Sequence, residues 1–228
     1  EEIRTLKAAE MVKKEGYAKI ILVGNPDKIK AMAGAENLDI DGIKIVDSEN
    51  SEKNEEYANV FYELRKKKGI TPEQAAETIK DPSYYAVMMV KQGDADGMVS
   101  GACHSTADTL RPCLQILKTK PGTKLVSAFF VMVVPDCDMG ADGTFIFGDS
   151  GLEQNPDPEK LANIALSSAE SFRTLTGKEP VVAMLSHSTK GSAKHADVDK
   201  VVEATRLAKE MAPELKLDGE LQLDAAIV

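Results

Sequence analysis

GMVSGACHSTADTLRP, residues 97–112, is the stretch from which the rest of the chain is read. Gly97-Met98-Val99-Ser100-Gly101 has the pattern of a short buried strand closing on a glycine turn. An apolar run at residues 85–90 reads as the strand feeding it. Three small hydroxyl residues follow, Ser105, Thr106 and Thr109, and Leu110, Leu114 and Leu117 then recur at helical spacing. A helix start, several hydroxyls and one guanidinium, Arg111, thus gather just beyond a strand. The first backbone N–H groups of a helix have no partner inside it and carry partial positive charge, which suits an anion such as a phosphate. A plain strand–loop–helix connection with Ser105 as N-cap satisfies the same residues, and spacing alone leaves both readings open.

Toward the N-terminus, Ile3, Leu6, Ala9 and Val12 share a helical face that Gly16 is placed to end. Residues 18–23 and 43–46 read as short strands, with a helix to Ala33 between them. Tyr57, Phe61 and Leu64 form the stripe of a further helix, with Arg65 near its end and Lys66 to Lys68 as its solvated C-terminus, where cations are favoured. From spacing alone Arg65 belongs to that solvated run. Thr71-Pro72-Glu73-Gln74 and Asp81-Pro82 are helix starts.

Toward the C-terminus, Thr119-Lys120-Pro121-Gly122 reads as a connection, so we divide the chain into domains at 1–121 and 122–228. Residues 126–134 are the longest apolar run, rich in Val and Phe, and read as a central strand. Residues 143–148 are expected to pair with it after a turn at residues 135–142. A long helix opens at Pro156-Asp157-Pro158-Glu159, with Leu161, Ile164, Ala165, Ala169 and Phe172 on its apolar face. Residues 181–185 form a strand, and Ser186-His187-Ser188-Thr189-Lys190-Gly191-Ser192 is a second small-residue loop between a strand and a helix. That helix covers residues 198–211, and residues 221–228 read as a last strand. Alternating strands and helices give an α/β fold with a largely parallel sheet, in which sites lie beyond the carboxyl ends of strands.

The net charge of −9 over 228 residues argues against non-specific nucleic-acid binding, which needs a basic face. No apolar run approaches the roughly 20 residues of a membrane span. Cys103, Cys113 and Cys137 are odd in number and lack metal-ligand spacing, which fits a reducing cytoplasm. No dinucleotide or P-loop glycine pattern occurs, and His104, His187 and His195 are too scattered for a metal triad. Asp136-Cys137-Asp138 reads as a turn in which two carboxylates disfavour the thiolate, against a cysteine nucleophile.

Several longer motifs nevertheless form a recognisable set. They are Asp94-Ala95-Asp96-Gly97-Met98-Val99-Ser100-Gly101, His104-Ser105-Thr106-Ala107-Asp108-Thr109-Leu110-Arg111-Pro112, and Val134-Pro135-Asp136-Cys137. Phe147-Gly148-Asp149-Ser150-Gly151, Ser188-Thr189-Lys190-Gly191-Ser192-Ala193-Lys194 and Asp218-Gly219-Glu220-Leu221-Gln222-Leu223-Asp224-Ala225-Ala226 complete it. In order and over the whole chain, these resemble the phosphate acetyltransferase family. The resemblance implies a two-domain α/β/α sandwich like that of isocitrate and isopropylmalate dehydrogenases. It implies reversible transfer of an acetyl group between coenzyme A and inorganic phosphate, with acetyl-CoA and acetyl phosphate as the other substrates. No cofactor, metal or nicotinamide, and no nucleic-acid or membrane partner, is implied; a cytoplasmic homodimer is.

The resemblance makes Arg111 and Arg65 the catalytic arginines tied to substrate phosphate, reversing the spacing-based reading of Arg65. It makes Ser105, Thr106, Thr109, Ser188 and Lys190 substrate-binding, and Cys137 a reactive thiol near the site that is not a nucleophile. Family members begin earlier and continue past residue 228 with a Ser-Arg pair and an Asp assigned to thiol handling. Residues 1–228 alone are then expected to be inactive; were a base present within them, Asp108, Asp136 and Asp149 are the carboxylates to examine. Related readings are a phosphate butyryltransferase and a phosphate-acetyltransferase-like effector-binding region of a malic enzyme. A metal-dependent dehydrogenase of the same fold is disfavoured by the motifs.

Overall fold

Helix boundaries in this chain follow side chains that satisfy the free backbone groups at helix ends. In the computed structural model, which describes residues 2–121 and 125–227, helix α1 (Ile3–Glu15) starts where Glu2 accepts a hydrogen bond from the Thr5 N–H. It ends at Gly16, held in the left-handed conformation at φ 71°. Strand β1 (Ile21–Val23), helix α2 (Pro26–Ala35) and strand β2 (Lys44–Val46) follow as a β–α–β unit with parallel strands, Ile21 opposite Lys44. Leu6, Ala9, Leu22, Ile29 and Ala33 bury their side chains together there.

Four helices build a second core: α3 (Asn54–Arg65), α4 (Pro72–Ile79), α5 (Pro82–Gln92) and α6 (Thr106–Ile116). Tyr57, Phe61, Ile79, Tyr85, Met88 and Ile116 are among its buried members. Lys66–Lys68 form a 3-10 turn after α3, and α4 starts on a capping box between Thr71 and Gln74. Residues 85–90, expected as a strand, are the middle of α5. Asp81 caps the Ser83 and Tyr84 N–H groups and Gly93 closes the far end, and an apolar run buried on every side has no periodicity that separates strand from helix.

Residues 97–101, also expected as a buried strand, are irregular, and Val99 is 100% exposed. Strand geometry needs a ladder partner for its N–H and C=O groups, and no described residue pairs with these. Helix α6 follows as expected, with Ser105 as N-cap, but the leucine stripe does not face the core. Pro112 and Ile116 are its buried residues, whereas Leu114 and Leu117 stay partly exposed.

The chain forms two compact units, Glu1–Lys118 and Thr119–Val228. In the second, β3 (Phe129–Val133) pairs antiparallel with β4 (Thr144–Gly148), with Val133 opposite Thr144. The run at residues 126–134 thus supplies a strand, but in a two-stranded sheet and not a central position, and Phe130, Val131 and Val133 are exposed. Helix α7 (Pro158–Thr176), strand β5 (Val181–Leu185), helix α8 (Ala196–Met211) and strand β6 (Lys216–Leu221) give a second parallel pair, Val181 opposite Lys216. Ala162, Ala165, Ala204 and Ala208 let α7 and α8 approach closely over Met184 and Leu217.

The last strand was expected at 221–228, but the ladder to β5 places it at Lys216–Leu221, where Leu217 and Glu220 are buried. Leu223–Ile227 is instead the short helix α9. Gly122 and Val228, which those expectations include, lie outside the described residues. Among the described residues, no helix is long and apolar enough to cross a membrane.

Candidate active site

The entrance of α6 is built by its own side chains. Ser105 Oγ accepts from the Asp108 N–H at 3.2 Å and donates to Asp108 Oδ2 at 2.6 Å. Arg111 donates from Nη1 to Asp108 Oδ1 at 3.3 Å, one turn further on. The Ser105 hydroxyl, followed by the charges of Arg111 and His104, holds the Asp108 carboxyl below its ordinary range. Asp108 is therefore a committed anion with donors on both oxygens, a poor candidate for a general base. Thr106 lies exposed at the first helical position, and Thr109 Oγ1 is buried with no partner among the described residues. Native structures pair most buried hydroxyls, so this one stands out. Ser105 is the N-cap, as the plain strand–loop–helix reading expects, and through Asp108 it is linked to Arg111 at the helix entrance.

Arg65 ends α3, half-buried and with no ion pair among the described residues. Tyr84 contacts the residue one helical turn from each arginine, Phe61 before Arg65 and Gln115 after Arg111. Its ring meets Phe61 edge-on at 5.5 Å between centroids, and its hydroxyl donates to Gln115 Oε1 at 3.1 Å. Burial pushes the Tyr84 phenol up and the Asp81 charge adds to this, while the positive charges of Arg111 and Arg65 act to lower it. Sequence reasoning placed neither Tyr84 nor Gln115 here; the signal available was that each lies i+2 or i+4 from a residue already singled out, Pro82 and Arg111.

The second small-residue loop lies beyond β5. Ser188 is fully buried; its hydroxyl donates to Glu220 Oε1 at 3.0 Å and accepts from the Ala193 N–H at 3.1 Å. The Gly191 N–H donates to the same Glu220 oxygen at 2.6 Å and is the main reason the carboxyl sits below its usual range. Lys190 donates to Asp218 Oδ1 at 2.7 Å and to the Gly219 carbonyl at 2.8 Å. Lys190 and then Lys209 hold the Asp218 carboxyl well below the ordinary range. Ser188 and Lys190 are therefore committed to the shape of this loop. Glu220, not singled out from the sequence, is its organising acceptor.

The cysteines are all free. Cys103 is exposed, with its sulfur 3.7 Å from His104 Nδ1. Cys113 donates weakly to the Thr109 carbonyl at 3.6 Å, and burial pushes its thiol up. Cys137 is half-buried beside Asp136, whose φ of 54° is that of a turn, as is the 59° of Asp149. Among the described residues, no three His, Cys, Asp or Glu side chains converge as metal ligands.

Parallel β–α–β units in each half define an α/β protein, with Arg111 at the α6 entrance in the first unit and a small-residue loop beyond β5 in the second. The chain belongs to the phosphate acetyl/butaryl transferase family, which it matches over residues 1–228. It is 61% identical over 227 residues to a phosphate acetyltransferase of Acetivibrio thermocellus, covering 100% of this chain and 68% of the relative. It is 57% identical to a phosphate acetyltransferase of Thermoanaerobacterium thermosaccharolyticum, covering 100% of this chain and 69% of the relative. Among solved structures, EutD phosphotransacetylase from Staphylococcus aureus superposes with a TM-score of 0.87 at 44% identity, over 99% of this chain and 67% of that one.

Proposed function

We propose that the protein transfers an acetyl group reversibly between coenzyme A and inorganic phosphate. The observation that carries this reading is the family match across residues 1–228 together with identities of 61% and 57% to phosphate acetyltransferases. Those relatives favour acetyl over butyryl transfer, and a transferase over an effector-binding region. In the acetyl-CoA-forming direction, the coenzyme A thiolate attacks the carbonyl carbon of acetyl phosphate. A C–S bond forms, the C–O bond to phosphorus breaks, and phosphate leaves with the electron pair. The thiol proton must go first, because the thiolate is the nucleophile.

On this reading Arg111 and Arg65 hold the phosphoryl group and stabilise the charge that grows on it as it leaves. Ser105, Thr106 and Thr109 surround it from the α6 entrance, with the unpartnered Thr109 hydroxyl supporting that placement. Ser188 and Lys190 serve the substrate by holding the second loop. Cys137 lies near the reacting groups without attacking them. The reaction needs neither metal nor redox cofactor, since a thiolate nucleophile and a phosphate leaving group suffice for acyl transfer. The same reading takes the two units as the two domains of an α/β/α sandwich like that of the isocitrate dehydrogenases, in a cytoplasmic homodimer. The full-length protein should form acetyl-CoA from acetyl phosphate and coenzyme A in the presence of a metal chelator. A folded protein without that activity overturns the assignment, and elution as a monomer in size-exclusion chromatography overturns the dimer.

A further inference from the structure

Two pairs of residues, each spaced by one helical turn, frame the Tyr84 side chain. On α3, Phe61 and Arg65 are four apart and share a face; on α6, Arg111 and Gln115 do the same. Tyr84 touches the non-ionic member of each pair, packing its ring edge-on against Phe61 at 5.5 Å and donating its hydroxyl to Gln115 Oε1 at 3.1 Å. The adjoining member of each pair is a guanidinium. From this arrangement we infer that Tyr84, with Gln115, is a positioning residue that sets the spacing of Arg65 and Arg111 for one tetrahedral oxyanion, the phosphoryl group of the substrate.

Each link of this contact has a physical part in the inference. The ring is a rigid spacer with few rotatable bonds, so contact with Phe61 fixes how close α3 and α6 come at this level. The phenol proton is used on Gln115, leaving only oxygen lone pairs free. Those lone pairs suit a guanidinium brought toward them, and the two helical-turn neighbours of Tyr84's contacts are guanidiniums. Both arginines are near enough to act on the phenol, with Asp81 acting in the opposite direction. A guanidinium bonds two oxygens of an anion in a fixed plane, so small errors in the placement of either arginine cost bonds to the phosphoryl group.

The inference rests on the phosphate reading of the two arginines, and the experiment separates the two claims. In the full-length protein, Tyr84→Phe keeps the ring on Phe61 and removes only the hydroxyl. The KM for acetyl phosphate should rise by roughly two- to tenfold, the span that loss of one neutral hydrogen bond gives. The change in kcat should be smaller, and the KM for coenzyme A should stay within twofold. Gln115→Leu should move the same constant in the same direction. The rise in melting temperature produced by inorganic phosphate should shrink in both variants, because ligand stabilisation follows affinity. A merely structural role lowers the melting temperature equally with and without phosphate and leaves that KM alone, and this result overturns the inference. If Arg65→Ala and Arg111→Ala raise the KM for acetyl phosphate but Tyr84→Phe does not, the positioning role fails and the phosphate site stands. If neither arginine variant changes it, both claims fall.

Discussion

Arg111 is paired with Asp108 across one helical turn, and both side chains are more than half exposed. An exposed pair of this kind contributes little, so the guanidinium is available to a better anion. Arg111→Ala should weaken use of acetyl phosphate by about tenfold to a hundredfold, matching the roughly 1.5–3 kcal/mol of a charge-assisted bond. Lys at this position should restore only part, since it returns the charge without the planar fork. Steady-state kinetics with acetyl phosphate as the varied substrate checks this. Asp218 gives a second test, through pH. Its carboxyl is depressed below the ordinary value by Lys190 and Lys209, so its contribution is present above about pH 4 and is lost as the pH falls through the lower, folded value. Asp218→Asn should therefore lower the melting temperature at pH 7. The gap to the unaltered protein should narrow toward pH 2, and high salt should narrow it at pH 7 because the pair is half exposed. A gap that widens on acidification would contradict the pairing.

At the scale of elements, chain-end chemistry was legible in the sequence and pairing was not. Thr71, Asp81 and Ser105 were readable as helix starts because capping depends on residues three apart. Residues 85–90 and 97–101 were misread as strands because whether a short apolar run is a strand depends on a partner elsewhere in the chain, which local pattern does not contain. The β3–β4 hairpin was legible as a pair, but the Asp142-Gly143 turn signal was split, with Asp142 read as the end of the turn and Gly143 as the start of the strand. Asp142 and Gly143 have φ of 51° and 82°, and Ala141 and Thr144 exchange both backbone bonds around them, at 3.0 and 3.1 Å. A Cβ on Gly143 would lie 2.2 Å from the Val134 carbonyl oxygen. Gly143→Ala should destabilise the second unit by about 1–3 kcal/mol, the usual cost of forcing an extra group into packed backbone. Urea unfolding followed by circular dichroism measures it.

For the whole molecule, each of the three buried apolar clusters lies within one unit, two before Lys118 and one after Thr119. Lys118, Thr119, Lys120 and Pro121 are exposed between them. Brief digestion with trypsin should cut first after Lys118, since the proline following Lys120 protects that bond and sites within packed helices are covered. Intact-mass measurement identifies the cut; first cleavage inside α3–α6 or α7–α8 would contradict the division. The α/β class was legible at this scale because strand and helix periods alternate along the chain. The pairing proposed for Arg65 and Arg111 was not, because they are 46 positions apart by their numbers and lie on different helices, so that motif resemblance alone raised Arg65 above a solvated helix end.

The three free thiols differ in a way that makes the protein its own labelling substrate. A maleimide dye meets Cys103 exposed, two positions before the Ser105 N-cap, while Cys113 is both covered and harder to ionise. With Cys137→Ser removing the other accessible thiol, a single fluorophore can thus be attached at the lip of the α6 entrance, and its emission then reports when that entrance fills.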